Sequence, residues 1–231
     1  MFVVDRVRQV LAMQKLRILC LHGYHGSAGI LRDQMAILTD GLDPVAEFVQ
    51  VNAPALAHGD FGWWHAIRDE KSTSNEYAGV SLGAARYEGW SNTRKWVVSL
   101  FEREGPFDGV FGFSQGAALA ALLVGLRSHD GTTTEHKPLA FDFAIMVGAF
   151  LATDPDLAGL YDSQESYDLP SIHIIGRSDF IVPSEYSRKV AAKFKNPLLL
   201  EHNGGHVIAG TPLIRKRVAS FLEERMHRLE H

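Results

Sequence analysis

The 231-residue chain sets 23 lysines and arginines against 27 acidic residues, for a net charge of -4, and 46% of it is hydrophobic. It is long and apolar enough to bury a substantial core, which excludes a disordered chain; the absence of a basic run argues against a nucleic-acid or membrane-surface partner. Its one cysteine, Cys20, cannot form an internal disulfide, and a reducing, cytoplasmic setting is the simplest reading.

Residues 1–8 lack the continuous apolar core of a signal peptide, because Asp5 interrupts them. They read as a short extension or helix before the first strand, and Met13 offers an alternative start. Nowhere does an apolar run approach the roughly 18 residues of a membrane span. Apolar runs that suit buried strands fall at 16–21, 46–52, 107–112, 141–147, 171–176 and 197–201. Helical patterns fall between them, at 29–40, 92–104, 115–127, 184–195 and 212–228. Strands alternating with helices predict a mostly parallel sheet flanked by helices, in a single α/β domain over 1–231.

Two segments break the rhythm. Residues 57–90 are long, irregular and rich in aromatics, including Phe61, Trp63, Trp64, Tyr77, Tyr87 and Trp90. They are expected to form a short cap or pocket wall, because concave apolar sites draw on aromatic side chains; a satellite hydrophobic cluster is the alternative. Residues 128–137 read as a solvated loop. The terminal Leu229, Glu230 and His231 resemble the start of a vector tail and carry no functional reading.

The most informative stretch is Gly-Phe-Ser-Gln-Gly at 112–116, after a predicted strand and before the helical run that starts at Ala117. Strand, sharp turn with serine, then helix is a nucleophile elbow, with Ser114 as nucleophile. Gly112 and Gly116 lack the Cβ atoms that would crowd a tight turn. The same pattern also suits an ordinary turn with a capping serine, so the remaining residues must decide. A serine nucleophile needs a histidine base and an acid to orient it, in the order serine, acid, histidine along the chain. Asp179 stands just past the strand 171–176, and His206 follows two glycines past the strand 197–201. Asp154 and Asp156 are rival acids one strand earlier, whereas Asp142 opens a strand and so stands at the wrong end. His202 is a rival base, and His173 lies inside a strand. The oxyanion donors are expected to be the N–H of Gln115 and that of Tyr24, in the loop after the first strand. There His22 is either part of that site or a turn residue bonded to the backbone. Tyr24, Trp63, Trp64 and Phe150 are candidate substrate-binding residues. His22 and His25 have no carboxylate or cysteine nearby in sequence, and no dinucleotide or phosphate-loop motif occurs, so neither metal nor cofactor is expected.

The chain resembles the FSH-type family of serine hydrolases, which includes fungal hydrolases and thioesterases that release polyketides. The likeness covers about residues 16–210 and rests on residues 19–24, Trp63-Trp64, residues 105–118, 175–179 with Val182-Pro183, and 204–206. It implies an α/β-hydrolase fold with nucleophile Ser114, acid Asp179 and base His206. It also implies a small-molecule acyl ester or thioester substrate, or an acyl chain on a carrier domain. A carrier domain is acidic, so Arg32, Arg68, Lys71 and Arg86 would matter if they converged. One departure is 147–150, Val-Gly-Ala-Phe, where the family tends to show Ser-Gly-Phe.

Overall fold

The computed structural model describes residues 15–54, 62–67, 83, 86–129, 139–162 and 166–229. In chain order the elements are β1 (Leu16–Leu21), α1 (Ala28–Thr39), β2 (Ala46–Val51), β3 (His65–Ile67), β4 (Arg86–Glu88), α2 (Trp90–Glu104), β5 (Gly109–Phe113), α3 (Gln115–His129), β6 (Phe143–Val147), α4 (Pro155–Asp162), β7 (Ser171–Gly176), α5 (Ser184–Ala191), β8 (Leu198–His202) and α6 (Pro212–Leu229). Six strands form one sheet in the order β2-β1-β5-β6-β7-β8, and every pairing in it is parallel. This is the α/β-hydrolase architecture expected from the sequence.

Alternation along the strands divides the core in two. Ile18, Cys20, Phe111, Phe113, Ile145, Val147, Ile172 and Ile174 face α1 and α6, and meet Leu31, Met35, Leu38, Ile214, Val218 and Leu222. Their neighbours Leu19, Leu21, Val110, Ala144 and Met146 face the other way, toward α2, α3 and α5. A strand buried on both faces reads as a continuous apolar run, which is why these strands were legible. Strand order reverses between β1 and β5: β1 leads outward to β2, and β5 leads the other way to β6. The crevice beyond the carboxyl ends at such a reversal is where open α/β sheets bind ligands.

Several boundaries differ from expectation, each for a local reason. β5 starts at Gly109 rather than at 107, because the Asp108 carboxylate accepts the Arg17 N–H at 2.7 Å and closes that end of the β1–β5 ladder. α5 stops at Ala191 rather than running to 195, because Tyr167 pairs with Phe194 and draws the following backbone into a bridge. α4 was not anticipated, although Asp154 followed by Pro155 is a start signal: the Asp154 carboxylate accepts the Asp156 N–H at 3.0 Å, and Pro155 is the first helical residue. Within 57–90, β3 and β4 form a small antiparallel pair and Trp90 opens α2, whereas Phe61, Tyr77, Arg68 and Lys71 lie outside the described residues. Most of the predicted 128–137 loop also lies outside them, and Ser128 belongs to α3. Among the described residues no helix is long and apolar enough to cross a membrane.

His173 on β7 is buried, with Nε2 3.1 Å from the Ser171 hydroxyl and Nδ1 unpartnered. Burial pushes its pKa down to about 3. The folded state therefore holds this ring neutral while the unfolded chain, with a pKa near 6.5, takes up a proton. Its stabilising contribution is complete above pH 6.5 and is lost progressively as pH falls toward 3. Replacing it (His173→Leu) is expected to flatten the pH dependence of unfolding free energy between pH 6 and 4 by about 1.4 kcal/mol per pH unit. Denaturant titrations across that range read the slope whatever the variant's stability at pH 7; an unchanged slope would contradict the neutral assignment.

Candidate active site

Ser114 is the single residue between β5 and α3, and its φ of +55° lies in the left-handed region that a side chain rarely adopts. Its N–H donates to Val147 O on β6 at 2.9 Å, and its own carbonyl accepts from Ala117 and Ala118 to start α3. The tight turn is possible because backbone meets backbone on both sides of it. A Cβ on Gly112 would fall 2.3 Å from Gly116 O, and one on Gly116 would fall 2.1 Å from Leu21 O at the end of β1. The elbow geometry expected from the motif is therefore present.

Past β7 and β8 the chain makes two loops that touch, since a Cβ on Gly176 would meet Gly205 O at 2.4 Å. The contact brings His206 Nδ1 to 2.6 Å from Asp179 Oδ2. Asp179 is held from behind: its Oδ1 accepts from Ile181 N at 2.9 Å and Val182 N at 2.8 Å. A carboxylate can only accept, so Nδ1 carries the hydrogen and Nε2 of a neutral ring keeps its lone pair. The His206 ring lies over Phe113, the residue before Ser114, with centroids 4.8 Å apart. Gly148, past β6 at φ +59°, leaves room for it, as a Cβ there would come within 3.0 Å of His206 Cε1. Loops after β5, β6, β7 and β8 thus meet at the carboxyl edge of the sheet.

The rivals are engaged elsewhere. Asp154 accepts from Tyr87 N at 2.7 Å as well as from Asp156 N, joining β4 to α4. Asp156 is exposed in the first turn of α4, and Asp142, ahead of β6, pairs with Arg127 at 3.3 Å. His202 ends β8, and its Nδ1 accepts the Gly204 N–H at 3.1 Å. Burial lowers its pKa, and the Asp179 charge acts against that shift.

The loop after β1 runs beside the serine, for a Cβ on Gly23 would lie 3.3 Å from Ser114 Cβ. His22 in that loop is buried and bonded to the backbone: Nδ1–H donates to Gly23 O at 2.7 Å, and Nε2 accepts from Ala53 N at 3.0 Å. Burial lowers its pKa, and the bond to Gly23 partly offsets this. Of its two sequence readings, the turn residue is the one these bonds describe. Tyr24 is half-buried, and its hydroxyl lies 2.8 Å from His65 Nδ1 on β3.

Trp63, Trp64 and Phe150 are fully buried and so expose no surface to a ligand in this structure. The cause is a clamp built on Gln115. Its Oε1 accepts the Trp63 N–H and its Nε2 donates to Trp64 O, both at 2.9 Å. Trp63 Nε1 donates to His22 O at 2.8 Å, the Thr93 hydroxyl donates to Trp63 O, and Trp64 stacks on Tyr87 with rings 4.6 Å apart. Sequence reasoning missed the residues that do reach the surface here: Phe180 and Val207, 75% and 53% exposed, directly follow Asp179 and His206. The available signal was an apolar residue in a polar loop next to each.

An elbow serine at the reversal of a parallel sheet, with an aspartate-bound histidine packed on the preceding Phe113, defines a serine hydrolase of α/β-hydrolase architecture. Residues 12–215 match the family model described as "Serine hydrolase (FSH1)", and the chain belongs to that family. It is 31% identical to "Esterase CG5412" of Drosophila melanogaster, over 94% of this chain and 77% of that protein. It is likewise 31% identical to human "Esterase OVCA2", over 92% of this chain and 98% of that protein. Among solved structures, acyl-protein thioesterase 2 of Zea mays superposes with a TM-score of 0.63 at 18% identity, covering 93% of this chain and 95% of that one, a likeness of fold.

Two substitutions and one control test the elbow and its clamp by denaturation. Gly116→Ala is expected to destabilise by about 3 kcal/mol or to prevent folding, whereas Gly159→Ala, with nothing within 4 Å, is tolerated. Gln115→Met leaves a buried N–H and a buried carbonyl unpaired and is expected to cost about 2–4 kcal/mol. A loss below about 0.5 kcal/mol would remove the clamp from the account.

Proposed function

We propose that this chain hydrolyses carboxylic esters and thioesters through Ser114, His206 and Asp179 by way of an acyl-enzyme. The observation that carries this reading is the 2.6 Å bond from His206 Nδ1 to Asp179 Oδ2 beside an elbow serine, because it leaves Nε2 able to accept a proton. His206 takes the Ser114 proton as Oγ bonds to the acyl carbon, and Asp179 stabilises the imidazolium. The backbone N–H groups of Gln115, opening α3, and Tyr24, in the loop beside Ser114, are the proposed oxyanion donors. Collapse of the tetrahedral intermediate breaks the bond to the leaving alcohol or thiol, which takes the proton from His206. Water, deprotonated by His206, then attacks the acyl carbon, frees the carboxylic acid and restores Ser114.

Phe180 and Val207 would line the mouth, with Trp63, Trp64 and Phe150 backing the site from beneath. A thioester substrate is supported at the level of fold by the maize thioesterase. Release of an acyl chain from a carrier domain is the second reading; Arg32 and Arg86 are exposed, as such a partner requires. A reducing, cytoplasmic setting fits Cys20, fully buried and unpaired.

The test is intact mass after a fluorophosphonate, followed by turnover of p-nitrophenyl esters and acyl thioesters of increasing length. Ser114→Ala is expected to abolish labelling and lower kcat by about 10⁴-fold or more while the fold survives. Asp179→Ala is expected to lose a similar factor. Asp154→Ala should keep activity per folded molecule but unfold earlier, since Tyr87 and Asp156 lose their acceptor. Full activity of Ser114→Ala would sink the mechanism, and the reverse pattern for the two aspartates would sink the acid. A preference of more than about tenfold for carrier-bound over free thioester would select the second reading. No labelling of folded protein would favour ligand binding without turnover.

A further inference from the structure

At the opposite edge of the sheet, where β7 and β8 begin, a cavity of about 490 Å³ opens between those strand starts and residues 217–228 of α6. Lys195, Arg217, Arg225 and Arg228 line it against two carboxylates, Asp168 and Glu224. The ion pairs within it are long: Lys195–Asp168 and Arg225–Glu224 both measure 3.6 Å. Arg217 and Arg228 pair with no carboxylate among the described residues. The Arg225 side chain is only 11% exposed, and its Nε is buried with no hydrogen-bond partner. Its guanidinium lies over Phe221, 5.2 Å from the ring centroid. Burial works against its charge, and so does the neighbouring charge of Arg228, while Glu224 acts partly the other way.

A largely buried cation whose Nε has no partner and whose one carboxylate stands at 3.6 Å is under-compensated, and an anion arriving in the cavity would relieve that cost. We infer that this cavity binds a phosphorylated small molecule. The guanidinium groups of Arg225 and Arg228, about one turn apart on α6, suit a phosphate, whose oxygens accept paired N–H bonds from planar forks; Arg217, about 16 Å back along the helix from Arg228, would meet another part of the ligand. The excess of two positive charges suits a dianion. The volume falls within the range of small-molecule sites, so an organic body accompanies the phosphate. An adjoining cavity of about 290 Å³ shares Asp168, Arg225 and Arg228 and adds Arg127 with Asp108 and Asp142, so it offers room to the organic body rather than to the phosphate. Ser114, Asp179 and His206 follow the other ends of strands five and six residues long. That separation is roughly 15–20 Å, so the ligand would not compete with an acyl substrate, and its test is independent of the ester chemistry.

Calorimetry and thermal shift with inorganic phosphate, pyrophosphate and ADP, at low ionic strength and without sulfate, test the inference. Saturable binding of ADP or pyrophosphate below about 1 mM is expected, tighter than that of inorganic phosphate. Replacing the two exposed arginines (Arg217→Gln with Arg228→Gln) should weaken it by roughly tenfold or more, with fluorophosphonate labelling unchanged. Arg225→Met should be at least as stable as the parent without ligand and should lose the ligand-dependent shift. Absence of saturable binding by all three probes would overturn the inference, as would equal affinity in the double variant. A destabilised Arg225→Met would also overturn it, by making that arginine structural.

Discussion

The contact on which this site depends is backbone against backbone, where the end of β1, the end of β5 and the first turn of α3 converge. Gly112 and Gly116 permit it, and a methyl group at either would overlap a main-chain oxygen or Cα. At this contact Ser114 leaves β5 through a left-handed conformation that costs roughly 1–3 kcal/mol. That strain is offset by bonds on both sides, to Val147 on β6 and into the start of α3. The serine is therefore presented by the most deeply packed part of the molecule rather than by a free loop.

Around that contact, polar groups lock separate segments into one unit. The Gln115 side chain pairs with the backbone of residues 63 and 64 as a neighbouring strand would, and Trp63 in turn bonds to the β1 loop through His22 O. His22 can join this unit only as a neutral ring, since it donates at Nδ1 and accepts at Nε2. Burial favours that neutral form. Asp154 does for β4 and α4 what Gln115 does for residues 63–64, by accepting two backbone N–H groups. A buried carboxylate spent on backbone donors is a structural acid, which is how it differs from Asp179, where one oxygen is left for a histidine.

The two edges of the sheet carry different chemistry. At the carboxyl edge the loops converge on an oriented imidazole with apolar Phe180 and Val207 beside it. At the amino edge, Lys195 and three arginines of α6 line a cavity with two carboxylates. A parallel sheet separates the two by the length of its strands, so an anion at one edge and an acyl group at the other need not interfere.

Much of this was legible along the chain. Strands buried on both faces are unbroken apolar runs, and a strand followed by Gly-x-Ser-x-Gly and an alanine-rich helix announces an elbow. Asp179 and His206 were legible because each stands just past such a strand, and strand order in a parallel sheet puts all those ends on one edge. The sequence determined these features because they depend on neighbours a few residues away. What tertiary structure decided depends on distant partners. Trp63 and Trp64 look like pocket aromatics in sequence, but they are buried because a glutamine more than fifty residues on holds their backbone. Asp154 and Asp179 are alike as isolated carboxyls; one meets Tyr87 and the other His206 only when the sheet is assembled. Likewise Arg225 is one more charge on the face of α6 until the fold leaves its side chain only 11% exposed, because burial, unlike charge, is a property of the whole fold.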